Sequence, residues 1–142
     1  MSTYTAENWP KDRWPNFSFS EMACQHSGIC NISDDMMDKL QQLRTNVGFG
    51  LIVSSGYRDK THPIEHAKIQ EGKAPNGGAH ASGKAVDLAI AGEKAYIVLK
   101  EALSVGFTGI GVSQTGTKRF LHLDCITEED GFHVPRPTIW SY

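Results

Sequence analysis

The sequence has little of what marks several large classes of protein. Three of its 142 residues are cysteine (Cys24, Cys30 and Cys125), too few and odd in number for a disulfide framework. It contains no run of about 18 apolar residues, so no transmembrane helix is expected. Its 14 basic side chains do not exceed its 16 acidic ones, which argues against a nucleic-acid-binding surface. The remaining composition, 39% hydrophobic and 21% charged, is that of an ordinary globular domain.

The start of the chain also lacks the apolar core of a secretion signal, because charges and prolines interrupt it. We therefore expect synthesis in the cytoplasm without a signal peptide, and delivery by another route if the protein acts elsewhere. Residues 1–16, with Trp9 and Trp14, are predicted to form an irregular arm packed by its aromatic side chains. Residues 17–142 are predicted to form a single domain, which is long enough to bury a core. A monomer is the default expectation for so small a domain.

The pattern along the chain predicts an α+β fold. An extended or turn segment is expected at "FSFSEMAC" and a helix over 33–48, capped by Ser33 and ended by Gly48. Further expectations are a strand at 51–55, a short helix at 64–71, a strand in "KAVDLAI" and a second long helix in "GEKAYIVLKEALSVG". The buried side of that helix is predicted to consist of Ala95, Val98, Leu99, Ala102 and Leu103. Strands in "FTGIGV" and "KRFLHLDCI" complete a mostly antiparallel sheet with helices packed on it.

Two of these strands have one apolar face and one face with ionisable groups. In "KAVDLAI", Asp87 lies between alanines on the face opposite Val86 and Leu88. In "KRFLHLDCI", the period of two places Phe120, His122 and Asp124 on one face. His80 lies seven positions before Asp87, in a glycine-rich loop that can turn tightly.

His80, Asp87 and His122 are candidate metal ligands. Two imidazoles and a carboxylate that leave a fourth position open are what catalytic zinc requires. Zinc in such a site lowers the pKa of a bound water to about 7 and polarises a carbonyl, which suits amide hydrolysis. The competing interpretation is that each histidine is hydrogen-bonded structure, and spacing alone leaves both interpretations open.

Other histidines, cysteines and aromatic residues are not expected to belong to the site. Cys24, His26 and Cys30 could form a zinc knuckle, but buried free thiols are favoured because no second ligand pair stands at the usual spacing. His62 and His66 are expected to be solvated, and His133 is not expected in the site. Trp140 and Tyr142 are expected to pack, although aromatics beside a cleft can also line it.

The motifs, in their order along the chain, resemble a known family. They are "SGYR" at 55–58, then His80, Gly83, Ala85 and Asp87 as H-x-x-G-x-A-x-D, then Phe120, His122 and Asp124 as F-x-H-x-D. This pattern resembles the zinc D-alanyl-D-alanine carboxypeptidases and phage endolysins, whose fold is shared with the hedgehog signalling domain. "FSFSEMAC", "GIG" at 109–111 and "RPTIWSY" also resemble the compact branch that ends in H-x-D, so the similarity runs from about residue 17 to the end.

The resemblance implies that His80, Asp87 and His122 hold one zinc ion. Arg58 matches the arginine that binds substrate or stabilises the anionic transition state, for which a guanidinium fork is suited. Two departures stand out. Gly78 occupies a position where the family usually has serine, so a hydrogen bond beside the ligands must be missing or supplied elsewhere.

The second departure concerns the general base. Many members have a glutamate three residues before an H-x-H pair, but Lys118, Arg119 and Phe120 occupy that neighbourhood here. Asp124, about 6.6 Å along the strand from His122, is the nearest substitute and is predicted as the base. It could equally orient His122 or hold a substrate amine.

The resemblance implies a zinc metallopeptidase that hydrolyses a peptide bond in the stem peptides of bacterial peptidoglycan, with zinc-bound water as the nucleophile. Its site of action would then be the bacterial cell wall, reached through phage lysis or on a virion. The alternative is a non-catalytic zinc-containing structural or peptidoglycan-binding module of the same fold, which the missing glutamate favours. The sequence does not decide which peptidoglycan bond is cut.

Overall fold

A sheet with helices packed on it makes up most of this computed structural model, which describes residues 2–74, 76–132 and 134–142. The helices are α1 (Phe19–Met22), α2 (Asp34–Val47), α3 (Pro63–Gln70) and α4 (Gly92–Val105), and short 3-10 turns lie at Ala79–Ser82 and Glu128–Asp130. The strands are β1 (Ser2–Tyr4), β2 (Cys30–Ile32), β3 (Ile52–Ser55), β4 (Ala85–Ala89), β5 (Gly109–Ser113), β6 (Phe120–Asp124) and β7 (Thr138–Ser141). Among the described residues, no helix is long and apolar enough to cross a membrane.

The main sheet has the strand order β3-β4-β6-β5-β7. Its neighbours run antiparallel except β5 and β7, which are parallel. Strands β1 and β2 pair separately as an antiparallel ribbon. The α+β class with a mostly antiparallel sheet is therefore confirmed, while β1, β2 and β7 were not predicted.

The two long helices supply much of the core. Ser33 accepts a hydrogen bond from the Met36 amide at the start of α2, and Gly48 ends that helix in the left-handed conformation, both as predicted. The buried residues of the two helices join those of the sheet in one cluster; they are Met36, Met37, Leu40, Leu43, Ala95, Val98 and Ala102. Leu103 was predicted to be buried and is 58% exposed. It follows Ala102 directly and so lies about 100° further around the helix, off the buried stripe.

The N-terminal segment is more regular than the sequence indicated. Its start forms β1, and the extended or turn segment expected at "FSFSEMAC" contains the one-turn helix α1. The difference at α1 has a local cause, since Ser18 and Glu21 form a reciprocal capping box that stabilises the first turn. Trp9 and Trp14 are buried against each other and against Tyr4.

Strand register places four residues from four strands in a row across one face of the main sheet. Asp87 of β4 lies opposite His122 of β6, His122 lies opposite Gly111 of β5, and Gly111 lies opposite Trp140 of β7. Residues directly opposite each other in a sheet point to the same face. The row therefore brings together side chains that are far apart in the sequence.

Asp124 of β6 lies in a neighbouring row on the same face, two residues beyond His122 and opposite Gly109 of β5. A Cβ atom on Gly109 would overlap the Asp124 carboxylate, so the glycine leaves the space that this side chain fills. Gly109 is thus required for room and not for an unusual backbone conformation.

We expect Gly109→Ala to destabilise the protein by about 1–3 kcal/mol, because the added methyl must displace a fully buried carboxylate. Urea unfolding monitored by tryptophan fluorescence measures the change. Gly50→Ala is the matched control, since a Cβ there meets nothing within 4 Å. Equal midpoints for the two variants would contradict this account of Gly109.

Candidate metal centre

The three predicted metal ligands come together at one point of the sheet. Each of His80, Asp87 and His122 offers a ligand atom within 4.8 Å of the others, a group of the kind that could hold a metal ion. Asp87 Oδ1 lies 3.2 Å from His80 Nε2 and 3.0 Å from His122 Nδ1. Both histidines are buried and Asp87 is partly buried, so a bound ion would be largely screened from bulk water.

His80 is positioned by the 3-10 turn Ala79–Ser82 that precedes β4. Gly83 ends this turn with a φ of +75°, a left-handed conformation that favours glycine and directs the chain into the strand. His80 Nδ1 lies 2.8 Å from the Gly56 carbonyl oxygen and donates to it. That hydrogen bond fixes the tautomer and leaves the lone pair of Nε2 on the side of Asp87.

His122 is held by the opposite arrangement of its ring nitrogens. Nε2 lies 2.7 Å from Asp124 Oδ2 and donates to it, so the lone pair of Nδ1 faces Asp87 Oδ1. Metal-binding histidines characteristically donate their second ring N–H to a carboxylate or a carbonyl. Both histidines follow that pattern, and the donor set of two imidazoles and a carboxylate fits zinc.

The electrostatics of the cluster reflect its burial. Burial lowers the pKa of His80, which favours the neutral imidazole that a metal ligand must be. Burial would raise the pKa of Asp87, but hydrogen bonds from His122 and His80 in their protonated forms outweigh it and hold that pKa well below its ordinary value. Burial would lower the pKa of His122, but hydrogen bonds from its protonated ring to Asp124 and Asp87 raise it overall. The neutral ring, with the Nδ1 lone pair towards Asp87, is the form that a metal would select.

Asp124 makes contacts that the sequence did not reveal. Its side chain is fully buried, and Arg136 donates from Nε to Oδ1 and from Nη2 to Oδ2, both at 2.8 Å. Burial would raise the pKa of Asp124, whereas His122 and Arg136 lower it overall. Both carboxylate oxygens are therefore engaged, an arrangement that suits orienting His122 better than accepting a proton from a water. The role of base remains a prediction.

Trp140 of β7 packs against both Arg136 and His122. The Arg136 guanidinium carbon lies 5.1 Å from the Trp140 ring centroid, and the same ring lies 5.2 Å from that of His122. A Cβ on Gly111 would come within 2.7 Å of Trp140 Nε1, so this glycine leaves space for the indole. Trp140 was expected to pack, and it does so against the candidate ligands.

The candidate ligands line a cleft of about 370 Å³. The cleft is also lined by Arg58, Lys68, Phe120, Trp140 and Tyr142, so one part carries cations and another carries aromatic rings. Among the described residues that line it, Asp87 is the sole carboxylate.

Arg58 lies in the cleft beside a buried counterion. Its Nε is 3.6 Å from Oε2 of Glu65, a side chain with no exposed surface. The Arg58 amide donates to the His80 carbonyl at 3.2 Å, which fixes the "SGYR" loop against the turn that carries His80. The predicted arginine and the predicted ligands thus share one site.

The remaining candidates lie away from the metal-ligand cluster, and one of them lies outside the described residues. Cys24 and Cys30 are buried free thiols, His26 is exposed, and no metal-ligating group includes them among the described residues. His66 is exposed, and His62 accepts a hydrogen bond from the Ile64 amide at the start of α3. His133 lies outside the described residues.

Sequence reasoning missed Arg136, Lys68 and Glu65. Arg136 lies in "RPTIWSY", a segment that resembles the family but for which the resemblance implied no role. Glu65 carried a usable signal, because a charged residue on a short helix with Arg58 nearby can be its buried partner. Lys68 pairs with Glu65 three residues before it, but its place in the cleft depends on Gly78, His80 and Asp87 from another part of the chain.

We expect the purified protein to retain one equivalent of zinc after dialysis and His80→Ala to retain far less, because the variant loses one of three ligands. Elemental analysis by mass spectrometry measures the bound metal. His66→Ala is the control, since it removes an exposed imidazole outside the site. A full equivalent of zinc in His80→Ala would show that the ligand set is wrong.

We expect Arg136→Met to weaken zinc affinity about 10- to 100-fold, as loss of a group that orients a metal ligand does. Without the guanidinium, Asp124 is a buried carboxylate whose remaining support is weaker. Competition with a fluorescent zinc chelator measures the affinity. Arg136→Lys should lie between wild type and Arg136→Met, and the exposed Arg119→Met should leave the affinity unchanged. Unaltered affinity in Arg136→Met would refute the positioning role.

Comparison with known proteins places the chain in a family. A search of curated proteins returned no significant match to this sequence. The family model described as peptidase M15 matches residues 15–124, which is most of the chain and includes Arg58, His80, Asp87, His122 and Asp124. The match ends before Arg136 and Trp140. The chain therefore belongs to the M15 family of zinc peptidases, and its buried histidine–aspartate–histidine cluster fits the zinc site that this family requires.

Proposed function

We propose that this protein is a zinc metallopeptidase that hydrolyses a peptide bond in the stem peptides of bacterial peptidoglycan, as a carboxypeptidase or an endolysin does. The observation that carries the proposal is the convergence of His80, Asp87 and His122 in a cleft that also contains Arg58. One zinc ion held by those three residues would supply Lewis acidity and a water of lowered pKa. All three come from one chain, which supports action as a monomer.

Arg58 is proposed to bind the substrate or to stabilise the negative charge that develops on the carbonyl oxygen. Its side chain is 14% exposed and lines the cleft, so most of it is held by protein while part remains accessible. Fixed donors in a water-poor cleft stabilise developing charge strongly, because they need not reorganise during the reaction. The buried carboxylate of Glu65 supports the position of the guanidinium.

We propose that Asp124 orients His122, which is the alternative to its predicted role as general base. Its carboxylate accepts from His122 and from two nitrogens of Arg136, and it has no exposed surface. A base must reach the proton that it removes, either directly or through one water. The hydrogen bonds and the burial of the Asp124 carboxylate are therefore what supports the orienting role.

The proposed substrate would place the site of action in the bacterial cell wall. The resemblance to the compact branch of phage endolysins supports phage lysis, or transport on a virion, as the route of delivery.

A second candidate function is a non-catalytic zinc-containing module that binds peptidoglycan or builds part of a phage virion. The specific observation that favours it is the scarcity of bases in the cleft, where Asp87 is the sole carboxylate among the described lining residues. Such a module would keep the metal and the cleft without turnover.

The two functions are separated by incubating the zinc-loaded protein with purified peptidoglycan and analysing the soluble muropeptides by mass spectrometry. We expect new fragments whose masses identify the broken bond. His122→Ala should abolish them, whereas His66→Ala should leave them unchanged. Intact peptidoglycan after incubation with fully loaded protein would support the binding module and refute the peptidase.

The role of Asp124 is tested by Asp124→Asn with zinc added in steps. If Asp124 orients His122, zinc affinity falls about 10- to 100-fold, and saturating zinc restores much of the cleavage rate. A base would behave differently, because its loss leaves zinc affinity near that of wild type and lowers the rate about 100-fold or more at any zinc concentration. Parallel zinc titrations of binding and of muropeptide release distinguish these outcomes.

A further inference from the structure

A second cation, Lys68 of α3, lines the cleft close to the candidate metal ligands. Its side chain is 36% exposed, so the ammonium is reachable from solvent. Its Nζ lies 3.4 Å from Glu65 Oε2, the same oxygen that faces Arg58 Nε at 3.6 Å. Two cations therefore converge on one buried carboxylate.

Gly78 allows the ammonium to lie where it does. A Cβ on Gly78 would stand 2.5 Å from Lys68 Nζ, so any larger residue would displace the ammonium. Gly78 has an ordinary backbone conformation, with φ of −85°, so a larger residue there would disturb the place of the Lys68 ammonium and not the backbone. Because Gly78 lies two residues before His80, the ammonium is held beside the turn that carries this candidate ligand.

The charges in this corner of the cleft do not balance. Glu65 is the carboxylate that Arg58 and Lys68 share, and its Oε1 already accepts from the Gly78 amide at 2.6 Å. Asp87 faces the two histidines instead. The pair of cations thus has one unit of positive charge in excess, in a cleft where reduced solvent screening strengthens attraction for an anion.

We infer that Lys68 and Arg58 together form a subsite that binds a carboxylate of the peptide substrate. The inference rests on the proposed peptidase function and adds to it a requirement for a free carboxylate near the bond that is cut. An ammonium and a guanidinium are both charged donors, and charge-assisted hydrogen bonds from both would fix the peptide beside the metal ligands. The carboxylate can belong to the C-terminus of the peptide or to an acidic side chain.

Three peptides of one sequence distinguish those sources. The first has its C-terminal and side-chain carboxylates free, the second is amidated at the C-terminus, and the third is amidated at the acidic side chain. Each is tested as a substrate with zinc-loaded wild type, Lys68→Met, Lys68→Arg and Lys73→Met. Lys73 provides the matched control, because it is an exposed lysine whose ammonium pairs with Glu71 outside the cleft.

We expect amidation of the bound carboxylate, and of it alone, to lower kcat/KM of wild type. Lys68→Met should lower kcat/KM on the unmodified peptide about 10- to 100-fold, mainly through KM, since a charged hydrogen-bond partner is lost. On the peptide that lacks the bound carboxylate the same variant should change little. Lys68→Arg should keep most of the activity, and Lys73→Met should match wild type. Equal cleavage of all three peptides by wild type, or an equal loss on all three in Lys68→Met, would overturn the inference.

Binding provides a readout that does not depend on turnover. Isothermal titration of the zinc-loaded protein with the same peptides should show tighter binding of the free carboxylate and loss of that preference in Lys68→Met. If no peptide is cut while this preference persists, the peptidase function fails and the subsite stands. If peptides are cut and Lys68 affects neither cleavage nor binding, the subsite fails and the peptidase stands.

Gly78→Ser tests the geometry directly. The added side chain must push the ammonium away, so the variant should lose the same carboxylate preference as Lys68→Met. The double variant Lys68→Met/Gly78→Ser should lose no more than either single variant, because both changes remove one interaction. Additive losses would show that Gly78 and Lys68 act separately and would contradict the arrangement proposed here.

Discussion

The antiparallel register of β4 and β6 is the constraint on which the candidate site depends. It sets Asp87 opposite His122 and so places a partly buried carboxylate between two imidazoles. Burial of a charge is costly unless opposite charges or hydrogen bonds compensate it. Here a series of contacts compensates the burial. His122 faces Asp87, Asp124 accepts a hydrogen bond from His122, and Arg136 donates to Asp124. A shift of one residue in the register would turn every member of β6 to the other face and destroy the series.

The parts of the site that the sequence predicted are those encoded by local periodicity. Alternation in β4 and β6 placed Asp87 and His122 on polar faces, and the glycine-rich turn placed His80 near them. The same reasoning predicted both long helices, and it failed at Leu103, which lies beside the buried stripe and faces solvent. Arg136 could not be predicted, because its partner Asp124 lies on another element and no periodic pattern encodes an ion pair between a loop and a strand. Lys68 forms a local pair with Glu65, three residues away, but its place in the cleft depends on residues from other parts of the chain.

Small residues matter in this site through the space that they leave. Gly109 makes room for the Asp124 carboxylate, Gly111 for the Trp140 indole and Gly78 for the Lys68 ammonium. None of the three requires a left-handed backbone. A serine at position 78, which the family pattern usually has, would therefore require the Lys68 ammonium to move from its observed place.

The division of the cleft bears on how a peptidase could work without the glutamate base that many members of the family have before the last histidine ligand. On one side Arg58 and Lys68 share the buried Glu65, and on the other Trp140 packs between His122 and Arg136. Asp124 has no exposed surface, and the cleft beside the candidate ligands is lined by cations and aromatic rings, which can bind anions and orient a peptide. Catalysis in such a cleft would rely on the metal and on fixed positive charge. Because anion binding needs no base, the same cleft would serve a binding module equally well, and turnover is the property that separates the two functions.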